Sequence, residues 1–258
     1  MAKIIVANWK MNPQTSKEAE QILVSYLKLV KGGRGKVKSS EIVICPPFVY
    51  LNSFRKKLQT PNSKLQIKLG AQDVFWEEEG AFTGEVSVKM ISDLGCSHVI
   101  IGHSERRRYL NETDEMINKK VPVALKAGLK IILCVGEHHR ENIHEIPKVV
   151  EEQVAAALNG VQKSHVGKII IAYEPVWAIG TGTPDTPEGA MMAAVLIRKT
   201  AMNILGLAAK NLPVLYGGSV SALNVEKFIS HDGIDGVLIG GASLDPEEFA
   251  KIVLSANS

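Results

Sequence analysis

Lys168-Ile169-Ile170-Ile171 runs directly into Ala172-Tyr173-Glu174-Pro175-Val176-Trp177-Ala178-Ile179-Gly180-Thr181-Gly182. The first part is β-branched and continuously apolar, the pattern of a short strand buried on both faces, as strands are in a parallel sheet. Where it stops stands an isolated carboxylate, Glu174. Taking a carboxylate out of water is costly without a partner or a function, so Glu174 is either a fixed structural charge or a base. The segment after it favours the second reading. Val176, Trp177, Ala178 and Ile179 are too apolar for an idle surface loop, and Gly180 and Gly182 allow the backbone angles a moving segment needs. A lid closing over Glu174 would exclude water and raise its basicity.

Seven further runs of the same kind occur outward from this one, so that strands are expected at 3–7, 41–45, 66–70, 98–101, 130–135, 168–172, 213–216 and 236–239. Helix-compatible stretches alternate with them at 16–30, 49–58, 86–94, 113–127, 147–158, 187–205, 222–229 and 246–254. In the first, Ala19, Ile22, Leu23, Tyr26, Leu27 and Val30 share one face, with Thr15 or Ser16 as its cap. Pro187 and Pro246 suit first-turn positions behind the caps Thr186 and Asp245. Eight strands alternating with eight helices in 258 residues fit a closed (β/α)8 barrel, read as one α/β domain over residues 1–258.

The barrel reading gathers the chemistry at one mouth. Asn8 and Lys10, Gln72, His103 and Glu105, Glu137, Glu174, Gly217-Gly218-Ser219 and Gly240-Gly241 all come just after the strands. Glycine pairs after the last two strands let backbone N–H groups approach an anion, a position where barrels hold phosphate, and Gly180 in the lid can add another. No dinucleotide or Walker fingerprint accompanies them, so a small phosphate ester is the expected ligand. His103 can donate to a substrate oxygen and shuttle protons. Lys10 is a fixed cation at the same rim, with Glu105 as its partner.

Composition bounds the rest. Apolar residues make up 45% and charged residues 22%, as in a soluble globular core, and a net charge of +3 argues for neither nucleic acid nor membrane. The basic run from Lys31 to Lys38 reads as a solvated loop. Cys45, Cys96 and Cys134 are widely spaced and suggest buried thiols in a reducing compartment, with the cytoplasm as the default location. The start of the chain is too short for a signal peptide, and no stretch reads as the ~20 apolar residues that span a bilayer. The six other histidines, His144 among them, lack metal-ligand spacing, so no metal is expected; His138 and His139 should face solvent.

The Asn8-Trp9-Lys10-Met11-Asn12 run, Gly70-Ala71-Gln72-Asp73, Gly80-Ala81-Phe82-Thr83-Gly84-Glu85, His103-Ser104-Glu105-Arg106-Arg107, Cys134-Val135-Gly136-Glu137, 173–182, Tyr216-Gly217-Gly218-Ser219-Val220 and Gly240-Gly241-Ala242-Ser243-Leu244 resemble, in order and from end to end, the motifs of triosephosphate isomerases. The resemblance implies Glu174 as base and His103 as electrophile. It implies Lys10 and Asn8 stabilising substrate charge, and phosphate held at Gly180, Ser219, Gly240 and Gly241. It implies a cofactor-free interconversion of dihydroxyacetone phosphate and glyceraldehyde 3-phosphate, a step of glycolysis and gluconeogenesis. A homodimer through the loop from Asp73 to Glu85 is implied as well. The sequence departs from the family at the end of the lid, where Thr183-Pro184-Asp185 replaces a pattern that more often ends in Ala. Two other readings compete: a decarboxylase or aldolase barrel, which needs a deep catalytic lysine not found here, and a non-catalytic sugar-phosphate-binding barrel.

Overall fold

The computed structural model describes residues 2–32, 40–58, 67–142 and 145–256. The basic run at 31–38, His144, and Gln66 at the start of the third expected strand lie outside the residues whose side chains are described.

All eight strands form: β1 Ile4–Asn8, β2 Glu41–Cys45, β3 Ile67–Ala71, β4 Cys96–Ile101, β5 Lys130–Val135, β6 Ile169–Tyr173, β7 Val214–Tyr216 and β8 Gly236–Ile239. They close into one parallel barrel in sequence order, with β8 returning to pair with β1. Alternation along each strand builds two cores. Val6, Val43, Ile100, Ile132, Ala172, Leu215 and Leu238 fill the inside of the barrel. Their neighbours Ile5, Ala7, Ile42, Ile44, Ile131, Leu133 and Ile171 face outward under the helices.

Among the described residues the helices are α1 Ser16–Gly32, α2 Leu51–Leu58, α3 Val88–Asp93, α4 Ser104–Leu110, α5 Asp114–Lys126, α6 Lys148–Leu158, α7 Pro187–Leu205, α8 Val225–Ile229 and α9 Pro246–Ser255. The apolar stripe of α1 buries Ala19, Leu23, Tyr26 and Val30, and Thr15 is its cap, accepting from the Glu18 N–H at 3.2 Å. Thr186 and Asp245 cap α7 and α9 as expected. One helix, α4, was not expected. Its residues, Ser-Glu-Arg-Arg-Arg-Tyr-Leu, carry no apolar period, and its cap is a histidine, not one of the residues that announce a helix start.

The expectation that no stretch is apolar and long enough to cross a bilayer needs correction. The helical segment Pro187–Asn211 meets that length and composition, with an 18-residue stretch inside it of mean hydropathy 1.4. Its apolar character has another account here, because Ala190, Ala193, Ala194, Ile197, Ala201 and Leu205 are buried against the rest of the fold and Arg198 pairs with Asp235 at 2.6 Å.

The three cysteines are free and buried. Burial pushes the Cys96 thiol up to about 12 and raises Cys45 and Cys134 well above the usual thiol value, so all three are inert at neutral pH. His138 and His139 are exposed.

Candidate active site

Glu174 follows the last residue of β6, and its backbone is drawn into the barrel rim by an N–H bond to the Val135 carbonyl at 2.8 Å. Gly136 makes this approach possible, since a Cβ there would stand 1.7 Å from the Glu174 carbonyl oxygen. The residue is 1% exposed. It is not unpaired, as the sequence suggested: Oε2 accepts from the Ser104 N–H at 2.9 Å, and Oε1 lies 3.0 Å from His103 Nε2. Both partners come from the start of α4, the helix hidden in the sequence.

His103 is the cap of that helix, and its Nδ1 accepts the Glu105 N–H at 3.2 Å. With Nδ1 occupied as an acceptor, the neutral ring carries its proton on Nε2, which faces Glu174. Burial alone would lower the imidazole, as would the positive end of α4. The adjacent Glu174 carboxylate and Glu105 outweigh burial and raise it above its ordinary value. Burial likewise pushes Glu174 up, but the His103 ring and the Ser104 N–H together hold it below the usual carboxylate range. The expected rise in its basicity is therefore not seen in this arrangement.

Lys10 reaches the same place by a strained backbone, with φ at +54°. Such a conformation costs about 1 kcal/mol or more in a residue with a side chain, and the neighbours hold it. Its N–H donates to Asn8 Oδ1 at 3.0 Å, and its carbonyl accepts from Gln72 Nε2 at 2.8 Å. Gln72 also donates to the Cys45 carbonyl at 2.9 Å, tying the loops after β1, β2 and β3 together. The Lys10 ammonium pairs with Glu105 at 2.5 Å, as expected, and passes within 3.4 Å of where a Cβ on Gly240 would be. Asn8 thus positions Lys10 through its side-chain oxygen as well as lining the pocket.

A pocket of about 280 Å³ is lined by all the expected site residues: Asn8, Lys10, His103, Glu174, Gly180, Ser219, Gly240 and Gly241. A 3-10 turn, Gly241–Leu244, starts at its glycine rim. Among the described residues no group of three His, Cys, Asp or Glu side chains could hold a metal ion.

The lid begins as a 3-10 turn, Val176–Ala178, and carries Gly180 and Gly182 at φ of +72° and +77°. Its two ends are fixed by residues that the sequence reading did not assign. Trp177 Nε1 donates to Glu137 Oε1 at 2.9 Å, and the Asp185 N–H donates to the Tyr216 hydroxyl at 2.9 Å. Between them lies Arg140, its side chain 3% exposed, bonded to Glu137, Asp185 and the Tyr173 hydroxyl. Tyr216 had a signal, a hydroxyl at the end of a strand. Arg140 had none beyond its place three residues after Glu137.

A closed parallel barrel that brings a buried carboxylate, an Nε2-protonated imidazole and an ammonium to one pocket at the carboxyl ends of its strands defines an acid–base enzyme of the (β/α)8 class. Comparison with known proteins narrows the class. A profile described as triosephosphate isomerase matches residues 3–256. The triosephosphate isomerase of Aquifex aeolicus (strain VF5) is 48% identical over 256 residues, 99% of this chain and 100% of the relative. That of Dictyoglomus thermophilum is 48% identical over 98% of this chain and 99% of its own length, and that of Geotalea uraniireducens 46% identical over 97% of each. The chain belongs to the triosephosphate isomerase family and is an isomerase.

Proposed function

We propose that this chain interconverts dihydroxyacetone phosphate and D-glyceraldehyde 3-phosphate through an enediolate, as a step of glycolysis and gluconeogenesis. Glu174 removes the proton alpha to the carbonyl, His103 Nε2–H donates to the oxygen that becomes the enediolate, and the proton returns to the neighbouring carbon. Lys10 offsets the growing negative charge, assisted by Asn8. Backbone at Gly180, Ser219, Gly240 and Gly241 holds the phosphate. The observation that carries this reading is the convergence of Glu174, His103 and Lys10 on one small pocket bounded by those glycines.

Glu174 and His103 stand 3.0 Å apart, too close for a substrate to fit between them. The base must therefore release the Ser104 N–H and turn toward the substrate carbon. Losing the neighbouring carboxylate removes the larger part of what raises His103, which favours the neutral, Nε2-protonated donor as the base engages. Lid closure keeps water from an intermediate that could otherwise expel phosphate.

The enzyme is read as one catalytic domain over residues 1–258, needing no cofactor or metal, with no membrane or nucleic-acid partner. Three unpaired buried thiols support a reducing, cytoplasmic setting. A homodimer through the loop 73–85 is supported by that loop's exposed course from 77 to 85 and by Phe82, 43% exposed beside Phe75. Met11 and Val49, after β1 and β2, are exposed as well.

A coupled assay of glyceraldehyde 3-phosphate conversion tests the assignment. The protein turns over, and Glu174→Gln loses about 10³-fold or more in kcat, within the range general-base removal produces. A folded protein that binds 2-phosphoglycolate without turnover is the result the binding-barrel reading requires.

A further inference from the structure

Asp185 stands where the lid ends, directly before the cap of α7. It is 7% exposed, and its carboxylate is engaged on all sides. Oδ2 lies 2.9 Å from Arg140 Nη2 and Oδ1 3.3 Å from Nη1, a forked contact, and Oδ1 accepts the Thr186 N–H at 2.8 Å. The same guanidinium bonds Glu137 Oε1 at 2.9 Å and lies 5.3 Å from the centre of the Trp177 ring. Trp177 belongs to the first turn of the lid and Asp185 to its last residues, so one cation from the loop after β5 holds both ends.

The seat is shaped for this pair. A Cβ on Gly189, in the first turn of α7, would stand 2.6 Å from Asp185 Oδ1 and 2.9 Å from Arg140 Nη1. No side chain larger than hydrogen fits there while the ion pair is in place. Gly189 is not at a positive φ, so the glycine answers the space taken by the carboxylate and guanidinium, not a backbone need.

We propose that Asp185 and Arg140 form a clasp, which ties the two ends of the lid together and holds it over the phosphate side of the pocket, making Asp185 a positioning residue for substrate retention. The proposal rests on the isomerase reading above. A lid end held by a buried, forked ion pair opens less often, because removing one partner leaves the other charge buried with less compensation. The consequence falls on how long the phosphate is kept, and so on KM, not on proton transfer at Glu174.

Steady-state kinetics with glyceraldehyde 3-phosphate, together with relaxation dispersion of the lid amides, test this in Asp185→Ala, Gly189→Ala and the double variant. Each single variant is expected to raise KM about fivefold or more, keep kcat within twofold, and speed lid exchange. The double variant is expected to be no worse than Asp185→Ala alone, because the carboxylate nearest the added methyl is gone and the Arg140 guanidinium, no longer held by it, is free to shift aside. Alanine is favoured over glycine in a helix, so Gly189→Ala carries the test even if Asp185→Ala folds poorly. Unchanged KM and lid exchange in both single variants, or a Gly189→Ala effect that adds in full to Asp185→Ala, overturns the clasp. Glu174→Gln measured alongside separates the two layers: its full activity overturns the base assignment, whereas its inactivity beside an unchanged Asp185→Ala overturns the clasp alone.

Discussion

His103 holds two jobs whose electrostatics pull in opposite directions. As the cap of α4 it accepts the Glu105 N–H and sits at the helix's positive end, which favours a neutral ring. As the neighbour of Glu174 it is raised above its ordinary value. Removing the Glu174 charge takes away the larger of the two carboxylate influences and leaves Glu105 against burial and the helix end. In Glu174→Gln, His103 should therefore titrate lower than in the parent protein, as followed by 15N-histidine NMR. An imidazole that titrates alike in both proteins would show that the carboxylate does not set its charge. The identities of these residues were legible in the sequence because strand ends are legible: Glu174, His103 and Lys10 each follow an apolar run. Their pairing was not, since the Ser104 N–H that holds Glu174 is a backbone group, and only the fold brings it there.

At the level of elements, the far end of the barrel carries a second charged group that serves stability. Glu41 at the start of β2 is bonded twice by Lys130 of β5, at 2.9 Å each, and lies 3.2 Å from Nε2 of the buried His98 of β4. The His98 ring, with Lys130 behind it, outweighs burial and holds the Glu41 carboxyl down to about 2. A depressed carboxylate contributes stability that is present above its unfolded value, near 4.5, and is lost as pH falls through about 2. Glu41→Gln should thus be less stable by roughly 1–2 kcal/mol at pH 7, solvent screening of this partly exposed group allowed for, with the gap closing between about pH 4.5 and 2 in denaturant melts. A gap that persists at low pH would assign the loss to packing. The strand positions were open to sequence reading, because continuous β-branched runs are short and bounded. The helix α4 was not, for Ser104–Leu110 exists as a helix through its histidine cap and its place between β4 and α5, which no local periodicity records.

At the scale of the whole molecule, one loop stands out from the barrel. The loop after β3 leaves the barrel at Phe75 and returns where the Phe75 N–H bonds the Val86 carbonyl at 2.9 Å, presenting an exposed excursion between. Analytical ultracentrifugation should show twice the mass of one chain, and Phe82→Asp should shift the protein toward monomer with reduced turnover. A parent protein that sediments as one chain at micromolar concentration contradicts the dimer. The central claim, that Glu174 moves a proton between adjacent carbons through an enediolate, is tested most directly by converting glyceraldehyde 3-phosphate in D2O and reading the product by 1H NMR. Dihydroxyacetone phosphate should carry deuterium at C1, at a rate lost in Glu174→Gln. Product free of deuterium, as from a direct hydride shift, or deuterium incorporated equally fast by the variant, would contradict it.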